Sequence, residues 1–167
     1  EDKSDDTSKE SYPENADELD KLPVWLKSVP HIDLVGGLAN CGDAEDYIDA
    51  LYIFYSSIDE KSDDIARFSN YEEWTMYKLS VHSLKSISNL VGARDLSILA
   101  KELEDAAKDK NIPKIKEKTP QLLESYRKFI GYLSPLMDDE SVKELIREPD
   151  TEDEEKEVEA APYYDTA

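Results

Sequence analysis

Residues 74–93 read WTMYKLSVHSLKSISNLVGA, and this stretch decides the predicted fold. At about 100° per residue, its mostly apolar inward positions share one side of a helix; they are Trp74, Tyr77, Val81, Leu84, Ser88 and Val91. Gly92 can adopt the left-handed conformation that ends many helices. With Asn70 as N-cap and Glu73 as its capping-box partner, the pattern predicts a central helix over residues 71–91.

Amphipathic patterns on both sides of this segment predict further helices. Residues 32–38 predict one or two turns that end near Gly42, and residues 43–60 predict a helix capped by Asp43 whose pattern continues weakly to Phe68. Residues 94–109 and 113–133 predict two more, with a kink or restart at Pro120. Because the connections are short, the expected fold is an all-α, up-down four-helix bundle with a short N-terminal helix and flanking tails.

The chain divides into three predicted regions. Residues 1–21 are an acidic tail that is too polar to fold, and residues 22–136 are the bundle. Within the bundle, residues 22–29, between Pro23 and Pro30, are expected to pack as a strap over one end of the core. Residues 137–167 are expected to hold a short helix at 139–147 and then a second acidic, disordered tail.

Composition excludes several classes of function. The chain has 20 basic and 40 acidic residues, a formal net charge of −20, which predicts that it binds neither nucleic acid nor an anionic membrane surface. A single cysteine, Cys41, excludes an internal disulfide and fits a reducing compartment. The expected location is cytoplasmic. The chain starts at Glu1 rather than Met, so we expect a processed protein or a piece of a longer one, whose parent could be membrane-anchored.

The strongest candidate for chemistry is His82. The sequence has two histidines, no Gly-rich phosphate loop and no metal-ligand spacing, so we expect no metal site and no cofactor. His82 falls about 130° from the centre of the inward face of its helix and should face solvent. An exposed imidazole is largely neutral near pH 7 and can act as a nucleophile that forms a phosphoramidate.

The neighbours of His82 suit this chemistry. Lys78 and Lys85 lie at i−4 and i+3, where their charges could balance a phosphoryl group. Ser86 is small enough to let a partner approach, and Leu79 and Leu90 point outward as an apolar rim. The competing interpretation is that His82 is an ordinary polar surface residue, since lysines at this spacing are common on helices.

Residues 81–93, VHSLKSISNLVGA, resemble the phosphoacceptor signature of histidine phosphotransfer domains. That signature reads roughly His-x-Leu-Lys-Gly-x-Ser, then a short apolar stretch and Gly-Ala, and the resemblance extends over residues 32–134. His82 matches the phosphorylated histidine and Lys85 the lysine beside it. Ser86 stands where many members have glycine. Ser88 matches the serine of the signature, for which we expect a structural role as a donor to a carbonyl one turn back.

The resemblance implies a phosphorelay function. Such domains do not phosphorylate themselves and have no autonomous catalysis. A response-regulator receiver domain donates its aspartyl phosphoryl group to the histidine, which passes it to another receiver aspartate, and the receiver supplies the Mg²⁺. The family often sits at the C-terminal end of hybrid sensor histidine kinases, so the kinase of the same chain is a further expected partner. We expect Lys78, Leu79, Ser86 and Asn89 to border the surface that partners contact.

Three alternatives remain open from the sequence. The first is a bundle that docks receivers without transferring phosphate, although the presence of both His82 and Lys85 argues against it. The second is the phosphoacceptor domain of a chemotaxis-type kinase, which an ATP-binding domain phosphorylates directly. The third is a helical bundle in which the motif is a coincidence.

Overall fold

The computed structural model describes residues 16–145 of the chain, and within them no β-strand occurs. The side chains of Ser141, Glu144 and Leu145 are not described. The α-helices are α1 (Ala16–Lys21), α2 (Leu34–Cys41), α3 (Ala44–Ser56), α4 (Ile58–Asn70), α5 (Trp74–Val91), α6 (Arg94–Lys108), α7 (Ile112–Leu133) and α8 (Glu140–Leu145). Short 3-10 helices cover Val24–Ser28 and Ser134–Met137. The predicted all-α bundle is confirmed.

Helices α4 to α7 form the four-helix bundle. Helix α5 packs on α6, α6 on α7, α7 on α4 and α4 on α5, while α2 and α3 cover the end of the bundle that holds the last turns of α5. One apolar core runs through all of them, and its largest fully buried side chains include Tyr47, Phe54, Tyr77, Leu84, Leu103 and Tyr126. The burial of so much apolar area is the main force that holds the helices together.

The inward face of α5 agrees with the sequence prediction. Tyr77, Val81, Leu84, Ser88 and Val91 are buried, and Trp74 is half-buried at the start of the helix. The buried hydroxyl of Tyr77 lies 2.6 Å from Oγ1 of Thr119 in α7, which in turn donates to the Ile115 carbonyl. This pair of hydrogen bonds satisfies both hydroxyls inside the core.

The predicted start of the central helix is wrong. Asn70 is the last residue of α4 rather than an N-cap, and α5 begins at Trp74 with no side-chain cap from Glu73. The reason is a turn centred on Glu72, whose φ of 56° is left-handed. The Glu73 amide donates to the Phe68 carbonyl and the Glu72 amide to the Ser69 carbonyl, the two bonds of a Schellman motif.

Helices α5 and α6 end in the same motif. Gly92 has φ 86°, and the Ala93 amide donates to the Ser88 carbonyl, as predicted for a left-handed stop. Lys110 has φ 55° after α6, and the Asn111 amide donates to the Ala106 carbonyl.

Two predictions about helix continuity can be compared with the structure. The pattern of residues 43–68 was assigned to one fading helix, but the chain breaks into α3 and α4 at Ser57. The hydroxyls of Ser56 and Ser57 donate to the carbonyls of Tyr52 and Ile53 one turn back, an arrangement that bends helices. At Pro120 the sequence predicted a kink or a restart, and α7 continues through Pro120 as one helix, so no restart occurs there.

The chain outside the bundle is more ordered than predicted over residues 16–21. These residues form α1, where Glu18 accepts a hydrogen bond from the Ala44 amide, so the predicted tail reaches at most to residue 15. The strap is present, with Leu22 and Leu26 buried in the core. Trp25 on the strap donates to Asp139, just before α8, and Val142 of α8 is buried. The predicted tails at 1–15 and 146–167 lie outside the described residues.

Candidate functional site

His82 lies in the middle of α5, on the side opposite the core. Its side chain is 55% exposed, whereas the side chains of Val81 and Leu84 on the same helix are fully buried. The helix therefore presents the imidazole to solvent from a backbone that is packed from behind. This placement was predicted from the helical wheel and is confirmed.

A buried carboxylate holds one nitrogen of the His82 ring. Nδ1 lies 2.7 Å from Oε1 of Glu104, which comes from the neighbouring helix α6. Only 5% of the Glu104 side chain is exposed, so the imidazole covers it from solvent. A buried carboxylate is costly unless charged or hydrogen-bonding partners surround it, and here three side chains do.

Those partners are His82, Lys85 and Lys108. The Lys85 ammonium lies 2.7 Å from Oε2 of Glu104, and the Lys108 ammonium lies 3.4 Å from Oε1. Burial opposes the ionisation of Glu104, but the Lys85 ammonium and the His82 N–H outweigh it and lower the pKa of Glu104 to about 2. Glu104 is therefore a carboxylate at neutral pH.

The state of Glu104 determines which His82 nitrogen carries the proton. A carboxylate can only accept hydrogen bonds, so Nδ1 must be the donor. In the neutral imidazole, the lone pair then resides on Nε2. The pair thus fixes both the tautomer and the orientation of the ring, and it leaves the lone pair on the nitrogen that does not contact Glu104.

The sequence predicts that Lys85 balances part of the charge of a phosphoryl group. In the structure its ammonium pairs with Glu104, and its side chain is only 28% exposed. With Glu104 carrying one negative charge and Lys85 and Lys108 one positive charge each, the cluster has one cation in excess. That excess charge lies beside His82.

The remaining candidates follow α5 along its outer surface. Leu79, Ser86 and Asn89 are exposed and lie at i−3, i+4 and i+7 from His82, so they form one stripe with it. Leu79 is 55% exposed, in agreement with its predicted outward position. Leu90 is also exposed, as predicted for the rim. Lys78 is half-buried and lies to one side of the stripe, toward Lys108 and Lys110.

The end of this stripe is attached to α2. The Asn40 amide group donates to the Asn89 carbonyl, and the Asp33 amide donates to the Gly92 carbonyl. A Cβ on Gly92 would lie 2.2 Å from the Asp33 carbonyl oxygen, so only glycine permits this approach.

One sequence interpretation is not supported by the geometry. Ser88 was expected to donate to a carbonyl one turn back, but its buried hydroxyl has no hydrogen-bond partner among the described residues. The second histidine, His31, lies away from His82, with Nδ1 3.7 Å from Asp95 and its ring near Tyr132.

Glu104 and Lys108 are residues of the candidate site that the sequence analysis missed. Glu104 had appeared only as part of the helix that follows the motif. A signal was available, because Ala100, Glu104 and Ala107 share one face of α6 with the apolar side chains, and a carboxylate on a buried face requires a partner. Lys108 lies one turn further along the same face.

No group of three or more potential metal-ligating side chains was found in the part of the chain that the structure describes. Among the same residues, no helix combines the length and apolar character required to cross a bilayer. Comparisons of this chain with models of known protein families, with curated protein sequences and with solved structures gave no significant match.

Proposed function

We propose that this chain is a phosphoryl carrier of a phosphorelay, in which His82 accepts a phosphoryl group from a receiver-domain aspartate and passes it to another receiver aspartate. The observation that carries the proposal is the exposed His82 ring with Nδ1 bound to the buried carboxylate of Glu104. A carboxylate that fixes the tautomer and the orientation of an exposed imidazole suits a ring that acts as a nucleophile. The sequence of α5 around His82, with its likeness to histidine phosphotransfer domains, supports the same function.

The transfer step follows from the tautomer. The Nε2 lone pair attacks the phosphorus of the aspartyl phosphate, the N–P bond forms, and the P–O bond to the aspartate breaks as its carboxylate leaves with the bonding electrons. The ring keeps the proton on Nδ1 and becomes positively charged. The Glu104 carboxylate, 2.7 Å from Nδ1, stabilises that charge.

The return step uses the same feature in reverse. A positively charged phosphoimidazole is a good leaving group, so a second receiver aspartate can displace it and restore the neutral ring. The phosphoryl group itself carries a charge of about −1.5 to −2 by analogy with other phosphorylated side chains. The excess cation of the Glu104 cluster, supplied by Lys85 and Lys108, offsets part of this charge.

This division of work requires little of the bundle. Phosphoryl transfer depends mainly on positioning and charge neutralisation, and the receiver provides the aspartate and the Mg²⁺. The chain itself needs to present one oriented imidazole on a rigid helix. Helix α5 packs on α4 and α6, and Schellman motifs end both α4, which precedes it, and α5 itself. Helix α5 therefore meets that need.

The decisive experiment is a phosphotransfer assay. Receiver domains are phosphorylated with a radiolabelled phosphodonor. They are then mixed with the wild-type chain, with His82→Gln and with His31→Gln as the matched control. We expect acid-labile, base-stable label on the wild type and on the His31 variant and none on the His82 variant. Each labelled chain should then transfer its label to a second receiver that carries no phosphoryl group.

Other outcomes point to other functions. If a panel of receivers binds the chain but fails to label it, while a known carrier is labelled in parallel, the chain is a docking module rather than a carrier. If an ATP-dependent histidine kinase labels His82 and receivers do not, the chain is a kinase substrate of the chemotaxis type.

A further inference from the structure

A groove beside His82 is lined by cations and apolar groups. It has a volume of about 420 Å³ and lies between the start of α5, the end of α6 and the start of α7. Lys78, Lys108 and Lys110 line it together with Trp74 and Ile112. No carboxylate is among the lining residues within the described part of the chain.

The groove adjoins the candidate phosphoacceptor. Lys78 precedes His82 by four residues, which corresponds to a rise of about 6 Å along α5. Lys108 connects the groove to the site from the other side, since its ammonium lies 3.4 Å from the Glu104 oxygen that holds the His82 ring. A partner that reaches His82 over the first turns of α5 must therefore pass over the groove.

The groove carries positive charge on a strongly acidic chain. The net charge is −20, and most cations elsewhere on the bundle pair with a carboxylate, for example Lys118 with Glu102 and Arg94 with Asp33. Among the described residues, by contrast, no carboxylate lies within ion-pair distance of Lys78 or Lys110. The groove thus concentrates unbalanced positive charge on a strongly acidic molecule.

The floor of the groove is apolar. Trp74 and Ile112 are partly buried against the core, and both leave part of their surface open to the groove. An indole that borders lysines suits a ligand that combines negative charge with an apolar or aromatic side chain.

We infer that this groove docks a carboxylate-rich segment of the receiver domain, one that also inserts an apolar or aromatic side chain against Trp74. The inference rests on the proposed function and identifies the chemistry of the partner surface. Lysines without a carboxylate partner beside a partly open indole are complementary to a partner segment that carries carboxylates next to an apolar or aromatic side chain. Complementary charge of this kind raises the association rate and fixes the orientation of the complex.

The first test probes the groove without any receiver. The full ¹⁵N-labelled chain is titrated with a short peptide of glutamates around one phenylalanine, and with a matched peptide of glutamines around phenylalanine. The two tryptophans of the chain provide the readout through their indole N–H resonances. Trp74 lines the groove, whereas Trp25 donates its indole N–H to Asp139 near α8 and serves as the internal control.

We expect the acidic peptide to shift the Trp74 resonance and leave that of Trp25 in place, with the shift decreasing as salt is added. The glutamine peptide should have no effect, and Lys78→Gln combined with Lys110→Gln should abolish the response. If Trp74 is insensitive to the acidic peptide, or if removal of residues 148–167 alone moves its resonance because the acidic end of the chain already occupies the groove, the inference is overturned.

The second test uses the receiver that labels His82. The Lys78→Gln, Lys110→Gln chain should bind it about threefold to tenfold more weakly at low salt, and the difference in affinity should decrease as salt is added. A matched pair, Lys27→Gln with Lys128→Gln, removes the same charge elsewhere on the surface. Equal losses in both pairs would show an effect of net charge only and would contradict a docking groove.

Failure of every receiver to label His82 would count against the carrier function, while the peptide titration would still report on the groove.

Discussion

Glu104 is the residue on which the proposed chemistry depends most closely after His82. Replacing it with glutamine keeps a hydrogen-bond acceptor near Nδ1 but removes the charge that stabilises the phosphorylated ring. We expect Glu104→Gln to slow phosphotransfer about tenfold and Glu104→Ala, which also removes the orienting bond, about 100-fold, by analogy with other partners that orient a histidine. Single-turnover transfer at saturating receiver measures both rates.

A purely structural role for Glu104 predicts a different result. In that case both substitutions would lower the stability of the chain, but the alanine variant would not transfer the phosphoryl group more slowly than the glutamine variant. The affinity for the receiver would fall in parallel with the transfer rate. Rates that are equal in the glutamine and alanine variants, measured on folded protein, would rule out positioning and charge stabilisation by Glu104.

The same residue shows where the sequence is informative and where it is not. The outward position of His82 could be predicted, because helical periodicity alone places it opposite Val81 and Leu84. The carboxylate partner depends on how far α6 is shifted along α5. Only the packed structure brings residues 22 positions apart to within 2.7 Å of each other.

At the scale of the helices, the three Schellman turns make a quantitative prediction. Glu72 and Lys110 occupy left-handed positions that cost a residue with a Cβ about 1 kcal/mol or more relative to glycine. We expect Glu72→Gly and Lys110→Gly each to raise the free energy of unfolding by up to about 1 kcal/mol, since part of the gain is offset by the extra freedom of glycine in the unfolded chain. Urea denaturation monitored by circular dichroism would measure it.

Gly92→Ala is the converse control. It introduces a Cβ at φ 86°, where it would clash with the Asp33 carbonyl, so it should destabilise the chain by more than about 1 kcal/mol. If glycine at position 72 or 110 instead lowers the stability, the left-handed conformation at that position is not the native one.

Helix boundaries were harder to predict than helix faces for a related reason. Glu72 and Lys110 are not glycines, so their identity does not indicate a helix end in the left-handed conformation. Gly92 is a glycine, and the helix end at this residue was predicted correctly. The break at Ser57 was missed because Ile58, Ile65 and Phe68 continue an apolar pattern that a single helix would also show.

For the whole molecule, the Glu104 cluster predicts how stability depends on pH. The folded chain lowers the pKa of Glu104 from an ordinary 4.5 to about 2, so the unfolded chain binds this proton more readily. The stabilising contribution of Glu104 is therefore complete above about pH 4.5 and is lost as the pH falls toward 2. We expect the stability difference between the wild type and Glu104→Gln to decrease across this range.

Urea denaturation of both chains at several pH values between 6 and 2.5, chosen about the ordinary carboxyl pKa, would measure that difference. Subtracting the variant from the wild type removes the contribution of the many other carboxylates, which titrate in both proteins. A difference that stays constant through the acid range would show that the cluster does not keep Glu104 ionised.

The attachment of α2 to the last turn of α5 has a consequence for the thermodynamics of association. Because Asp33 and Asn40 occupy the carbonyls of Gly92 and Asn89, the end of the helix that carries His82 is bonded rather than frayed. The conformational entropy of this surface is thus already lost when the chain folds, so binding a partner does not carry that cost again. Binding along α5 should proceed as the encounter of a preformed surface with its partner, at a rate limited by diffusion and orientation.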